Sequence, residues 1–151
     1  MDCGPTCLRM IAEYHGKSYS LNSLRKITNI TRTGVSLGNI AEAAEKIGYR
    51  SLAARVDFNT LVNEVSLPCI GYWKQRHFIV IYKIKKDKIY VADPAHGLVK
   101  YSKKEFKKGW TDNNNLKKSE GYILLLETTP KFFDAEEEEE DRKDYGFRFF
   151  F

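Results

Sequence analysis

Helix signals dominate the first part of the chain and strand signals most of the remainder, and this order constrains the fold most. Helices are predicted to begin near residues 3, 21, 37, 58 and 103, four of them behind a capping side chain: Ser20, Ser36, Asp57 and Ser102. Strands are predicted over residues 49–56, 69–73, 76–84, 88–92, 98–101 and 122–127. Helices followed by antiparallel strands are typical of an α+β fold.

The first predicted helix begins at a cysteine. Cys3 stands two residues before Pro5, and proline is favoured in the first turn of a helix. Leu8 and Ile11 follow at helical spacing, and Gly16 is a plausible stop. A thiol at the positive end of a helix dipole has a lowered pKa, so Cys3 is a candidate nucleophile.

A histidine and an aspartate are predicted to meet at one edge of the sheet. His77 leads the apolar run 78–82, and Asp93 ends the strand that follows a predicted turn at 85–87. Antiparallel pairing would bring the two side chains together. A thiol, an imidazole and a carboxylate that orients the imidazole are the groups of a thiol peptidase.

Several segments together resemble one known family: 2–8, 14–17, 33–37, 67–70, 77–80 and 93–95. The resemblance is to the double-glycine leader peptidase domains of bacteriocin-processing ABC transporters, which are papain-like cysteine peptidases. It implies N-terminal helices, with the nucleophile at a helix start, packed on an antiparallel sheet that carries His and Asp. By this resemblance Cys3 is the nucleophile, His77 the general base and Asp93 its orienting partner.

The resemblance also implies a substrate and partners. The substrate would be a bacteriocin-like precursor peptide, cleaved after a Gly-Gly or Gly-Ala leader terminus. The partners would be the transmembrane and nucleotide-binding domains of a parent transporter, at the cytoplasmic face of the bacterial inner membrane. No cofactor is expected in this chain, which is expected to be soluble alone. ATP and Mg²⁺ would belong to the nucleotide-binding domain, because the chain has no phosphate-binding loop motif.

Two units are predicted along the chain. Residues 1–129 would form the cysteine peptidase domain, and 130–151 an acidic linker and an aromatic segment that leads toward a transmembrane region.

One departure from the family pattern concerns the oxyanion hole: family members carry a Gln upstream of the nucleophile, and here that position would precede Met1. Either the chain starts late or the hole is incomplete, which typically costs about 2.7–4 kcal/mol of transition-state stabilisation.

Composition is compatible with this interpretation. The 151 residues carry a net charge of +5, but the lysines occur at predicted turns and helix faces without a nucleic-acid motif, so no nucleic-acid partner is expected. Three cysteines, an odd number, without a secretory signal favour a reducing cytoplasmic setting. No apolar run approaches the ~20 residues of a membrane helix.

Other reactive residues have simpler interpretations. Cys7 and Cys69 are expected to be small buried apolar residues. His96, in the loop after Asp93, is a weaker candidate for the base than His77, because a loop holds a side chain less rigidly. A zinc site at Cys3 and Cys7 would have unusual spacing.

Three other functions remain open from sequence. The chain could be a non-cleaving leader-peptide docking module of a transporter. The missing Gln supports this alternative, whereas the intact Cys3, His77 and Asp93 argue against it. An acyltransferase or transglutaminase-like enzyme would use the same three groups. A redox thiol protein would be expected to have a Cys-x-x-Cys pair, which Cys3 and Cys7 do not form.

Overall fold

The computed structural model describes residues 2–28, 35–112 and 119–134. The predicted acidic run and aromatic segment beyond residue 134 lie outside the described residues. The described residues form these helices and strands, in chain order: α1 (Cys3–Tyr14), α2 (Leu21–Ile27), α3 (Leu37–Lys46), β1 (Tyr49–Asp57), α4 (Phe58–Asn63), β2 (Cys69–Trp73), β3 (His77–Lys85), β4 (Lys88–Asp93), β5 (Gly97–Ser102), α5 (Lys103–Trp110), β6 (Glu120–Thr128) and α6 (Pro130–Asp134).

The strands form one antiparallel sheet in the order β1-β6-β2-β3-β4-β5. Consecutive hairpins build the run from β2 to β5, and in the β3–β4 pair Val80 lies opposite Ala92. This register places the start of β3 beside the end of β4. The predicted α+β class and antiparallel sheet are confirmed.

Helices cover both faces of the sheet. Phe78 and Val80 of β3 pack in the cluster that contains α1 and α3, whereas Ile79 and Ile81 pack in the cluster that contains α4 and α5. Because both faces of β3 are buried, its sequence is continuously apolar instead of alternating. The strand beginning with His77 is therefore held rigidly from two sides.

The four predicted helix caps are confirmed. Each capping side chain accepts a hydrogen bond from the backbone N–H three residues later: Ser20, Ser36, Asp57 and Ser102. Such a cap contributes about 1 kcal/mol. Ser36 with Asn39 and Ser102 with Glu105 form full capping boxes.

Some predicted ends shift by one or two residues. β6 begins at Glu120 instead of Tyr122, because Glu120 and Gly121 continue the pairing with β1. β3 begins one residue later than predicted, since residues 74–76 turn the chain between β2 and β3. α4, predicted to run from Phe58 to Val65, ends at Asn63.

The last described helix closes one end of the molecule. Phe132 of α6 is fully buried, and its ring lies 4.6 Å from that of Tyr49 and 6.1 Å from that of His15, measured between centroids. His15 Nδ1 lies 2.8 Å from the Tyr49 hydroxyl. Residue 48 is Gly with φ 106°, and a Cβ there would lie 2.3 Å from the Phe132 backbone nitrogen. The α3–β1 connection and α6 therefore fit together only with glycine at this position.

Candidate active site

Cys3 lies at the N-terminus of α1, as predicted, and is 8% exposed. Its neighbour Gly4 is in contact with the α3 region: a Cβ at Gly4 would lie 3.0 Å from Val35 Cγ1 and 3.1 Å from Ile40. The absence of a side chain at residue 4 thus lets the start of α1 approach α3. The unpaired N–H groups at a helix start and the helix dipole favour a thiolate there.

His77 and Asp93 meet at the edge of the sheet where β3 begins and β4 ends. His77 Nε2 lies 2.7 Å from Asp93 Oδ1, and the two side chains are 13% and 2% exposed. The Ala95 backbone N–H also donates to Oδ1, at 2.8 Å. His96 Nδ1 lies 3.2 Å from the other carboxylate oxygen. The Asp93 carboxylate is therefore held on both oxygens.

Cys3 is hydrogen-bonded to the same imidazole. Because Nε2 of His77 faces Asp93, the nitrogen that faces the sulfur is Nδ1. The structure thus joins Cys3, His77 and Asp93 in one hydrogen-bonded chain, across 74 and 16 positions of sequence. This is the arrangement that nucleophilic catalysis by a thiol requires.

The surroundings of Cys3 favour its ionised form. Burial raises the pKa of the Cys3 thiol, but hydrogen bonds from His77 and from the Phe78 backbone N–H outweigh burial, and the net pKa is lowered. The hydrogen bond with Cys3 raises the pKa of His77; burial lowers it, and Asp93 raises it further. Burial likewise raises the pKa of Asp93, but the hydrogen bonds from His77 and the Ala95 N–H outweigh it, so that pKa is lowered. A thiolate and an imidazolium are therefore stabilised together.

A comparison with protein-family models matches residues 1–119 to the peptidase C39 family. The chain belongs to this family. Its members are cysteine peptidases, and the matched range contains Cys3, His77 and Asp93. The resemblance noted from the sequence motifs is confirmed.

Curated relatives of this C39 chain are transport proteins. The lactococcin-G-processing and transport ATP-binding protein LagD of Lactococcus lactis is 33% identical over 115 residues, and the colicin V secretion/processing ATP-binding protein CvaB of Escherichia coli is 32% identical over 110. Either comparison covers 73% of this chain but 16% of the relative. The chain thus spans a small part of the length of these relatives. Within its described ranges, no helix has the length and apolar character needed to cross a membrane.

Solved structures share the fold. A double glycine motif protease from an AMS/PCAT transporter, in complex with a leader peptide, is 30% identical with a TM-score of 0.75, over 84% of each chain. The peptidase domain of Streptococcus ComA is 25% identical with a TM-score of 0.72, over 85% of this chain and 92% of that one. The papain-like arrangement predicted for this C39 chain is confirmed.

The remaining cysteines of the C39 chain lie in the core. Cys7 and Cys69 are fully buried, and burial raises the pKa of Cys7 well above its usual value and that of Cys69 to about 12. Both thiols stay protonated at neutral pH, and their predicted role as small apolar residues is confirmed. Among the described residues, no group of three or more His, Cys, Asp or Glu could hold a metal ion.

The sequence did not indicate every contact of the site. His96, considered as an alternative base, lies on the Asp93 carboxylate instead of beside Cys3, and its side chain is 73% exposed. Its short separation from Asp93 was the available signal, because an Asp side chain commonly bonds to residues two or three positions later. The Ala95 N–H, two positions after Asp93, had the same signal. The backbone N–H of Phe78 left none, since every residue except proline carries one.

Tyr72, Trp73 and Trp110, which from the sequence could form either the walls of a narrow substrate channel or part of the core, divide between the core and the surface. Trp73 and Trp110 are 4% and 1% exposed, and both pack against Phe106 of α5, the helix that ends at Trp110. Tyr72 is half-buried, with its ring centroid 5.2 Å from that of Phe78. Of the three, Trp110 is a core residue, whereas Tyr72 lies near the site.

Proposed function

We propose that Cys3 is the nucleophile, His77 the general base and acid, and Asp93 the group that orients His77. One observation carries this proposal: the continuous hydrogen bonding of the three side chains at the N-terminus of α1. The imidazole is fixed on one nitrogen by a buried carboxylate, so its other nitrogen is directed at the sulfur. These roles require no cofactor or metal ion.

The proposed reaction proceeds in two steps. The Cys3 thiolate attacks the carbonyl carbon of the residue before the scissile bond, and the C–N bond breaks as His77 protonates the departing amine. The acyl group remains on Cys3 as a thioester. Water then attacks the thioester, with His77 accepting a proton from it, and the free carboxylate and thiol are restored. The N–H groups at the start of α1 stabilise the oxyanion, together with the family's upstream Gln where a longer chain supplies it.

The proposed substrate is a bacteriocin-like precursor peptide cleaved after a double-glycine leader. The 30% identical protease is described as acting on a double glycine motif and is bound to a leader peptide. The relatives LagD and CvaB combine processing with transport in their descriptions. We assign this chain to the same process, at the cytoplasmic face of the membrane, with the transmembrane and ATP-binding domains of a parent transporter as partners.

The proposed domain boundary follows from this assignment. Residues 1–129 are the peptidase domain, and residues 130–151 connect it with the membrane-spanning part of the transporter. The first residues of that connection, α6, pack onto the domain through Phe132.

A cleavage assay tests the proposal. The chain, and a version extended upstream through the expected Gln, are incubated with a double-glycine precursor, and the products are identified by mass spectrometry. We expect cleavage after the second glycine, and its loss in Cys3→Ala. Cys7→Ala is the matched control, because it removes a buried thiol from the same helix and should retain cleavage.

Each outcome of the assay has a definite meaning. Retained cleavage by Cys3→Ala would remove Cys3 from the mechanism. Binding of the precursor by both versions without cleavage would reassign the chain to a leader-docking module. Transfer of the leader to an added amine, in place of hydrolysis, would indicate an acyltransferase.

A further inference from the structure

A cavity of about 560 Å³ opens directly beside His77 and Asp93. It lies at the ends of β2 to β5, on the sheet face that carries α5, and the proposed reaction leaves it without a role. Its lining has an apolar floor, formed by Trp73, Val99 and Tyr101. Its basic rim is formed by Lys74, Arg76 and His96. Trp73 and Tyr101 are in ring contact, with centroids 4.9 Å apart.

The basic rim belongs to a strained but well-held turn. Lys74 and Gln75, between β2 and β3, have φ values of 52° and 61°, a left-handed conformation that residues with a side chain rarely adopt. Three hydrogen bonds hold the turn: the Lys74 N–H donates to the Gly109 carbonyl at 2.7 Å, the Arg76 N–H donates to the Trp73 carbonyl at 3.2 Å, and the Tyr72 hydroxyl donates to the Gln75 carbonyl. The backbone from which the basic side chains extend is therefore fixed beside the base.

The charge of the cavity is unbalanced. Lys74 and Arg76 are exposed at its rim. Among the described residues that line it, the carboxylate is that of Asp93, which is 2% exposed and already bonded to His77 and His96. Two cations thus face the cavity, and the carboxylate in its described lining is engaged by the two histidines. A peptide carboxylate entering the cavity would neutralise these cations.

The proposed chemistry directs a particular part of the substrate toward this cavity. The leaving amine takes its proton from His77, so the first residue after the scissile bond must lie within hydrogen-bond reach of the imidazole. The peptide that follows the cut therefore departs past His77, away from the sulfur. The cavity, of about 560 Å³, is bordered by His77.

We propose that this cavity binds the first residues after the scissile bond, and that Lys74 and Arg76 make the enzyme prefer carboxylates there. The inference rests on the proposed function and adds a specificity to it. The enzyme then recognises its substrate on both sides of the scissile bond: the leader before the bond, and acidic first residues of the mature peptide after it.

The test uses two precursors with the same leader and double glycine. One carries aspartates and the other lysines at the first three positions after the cut, and kcat/KM is measured for both. We expect the acidic precursor to be favoured about fivefold, since each exposed ion pair changes an equilibrium by a factor of about 1.4 to 5. In the double variant Lys74→Gln, Arg76→Gln, the ratio of kcat/KM for the acidic precursor to kcat/KM for the basic precursor should approach one.

The matched control is Lys85→Gln with Lys86→Gln. It removes the same charge from the opposite end of β3, and Lys86 also has a positive φ, of 58°, in a hairpin turn. The control should keep the wild-type ratio. Circular dichroism and the rate of Cys3 alkylation show whether either variant has disturbed the fold or the nucleophile.

The outcomes separate this inference from the proposed function. Equal kcat/KM for both precursors, or an equal loss of preference in both double variants, would overturn the inference while leaving the peptidase intact. A ratio abolished only by the Lys74, Arg76 variant would support it. Cleavage of neither precursor by the wild-type chain would overturn the proposed function and the inference with it.

Discussion

At the scale of single residues, the site depends on how protons are shared among three side chains. Cys3 has a lowered pKa and His77 a raised one, in part because each hydrogen-bonds the other. Asp93 stays ionised because the hydrogen bonds it accepts outweigh the effect of its burial.

This sharing predicts a bell-shaped dependence of kcat/KM on pH. Activity should rise as pH increases through the pKa of Cys3, which is lowered from its usual value, and fall as pH increases through the pKa of His77, which is raised from its usual value. Asp93→Asn should lower kcat/KM about 100- to 10,000-fold and move the alkaline limb to lower pH, because Asp93 helps to raise the pKa of His77.

The measurement is a pH series of precursor cleavage, with the concentration of active enzyme determined by titrating Cys3. His15→Gln is the control, since His15 contacts Tyr49 and Phe132 at a site remote from Cys3. Its profile should match that of the wild type. An alkaline limb that does not move in Asp93→Asn would contradict the role assigned to Asp93.

At the scale of elements, helix ends decide how the layers join. Gly16 follows α1 and Gly48 follows α3, and both have positive φ, of 89° and 106°. Local backbone preference accounts for glycine at both positions. Their surroundings differ, however, because a Cβ at Gly16 would meet nothing within 4 Å, whereas one at Gly48 would collide with the backbone of α6.

The comparison of Gly48→Ala with Gly16→Ala separates strain from collision. Gly16→Ala should lower the free energy of unfolding by about 1–2 kcal/mol, the cost of a left-handed residue with a side chain. Gly48→Ala should lower it by about 1–3 kcal/mol more, because α6 must also move. Urea denaturation followed by circular dichroism measures both. Equal losses would mean that α6 does not restrict residue 48.

At the scale of the whole molecule, α6 joins the last described residues to the N-terminal helices. Phe132 is fully buried between Tyr49 and His15, whereas its neighbour Phe133 is 57% exposed. The folded unit therefore includes packing from beyond residue 129, the proposed end of the peptidase domain. This packing anchors the point from which the chain continues toward residue 151.

The two phenylalanines offer a matched test of that anchoring. Phe132→Ala should lower the free energy of unfolding by about 3–5 kcal/mol, because it leaves a cavity among aromatic rings. Phe133→Ala should change it by no more than about 0.5 kcal/mol. Both are measured by urea denaturation of the same chain. Similar values for the two variants would show that α6 contributes little to the stability of the domain.

Much of the fold was predictable because it depends on local signals. The caps at Ser20, Ser36, Asp57 and Ser102 were recognisable from side chains that bond to nearby N–H groups, and the strands from apolar runs between turns. The meeting of His77 and Asp93 at one edge also followed, since a short hairpin places the start of one strand beside the end of the next; the one-residue shift of register between Ile81 and Lys83 had no such signal. These predictions required only interactions between residues close in sequence.

The sequence by itself determined the positions of the helices and strands, and it identified the family through the segments around Cys3, His77 and Asp93. Only the tertiary structure decided which nitrogen of His77 faces the sulfur, that His96 lies on the far oxygen of Asp93, and that a basic cavity opens beside the base. The burial of Phe132 was decided in the same way. The physical reason is that these features arise where separate elements pack together, and the direction of a side chain in such a place depends on neighbours that are distant in sequence.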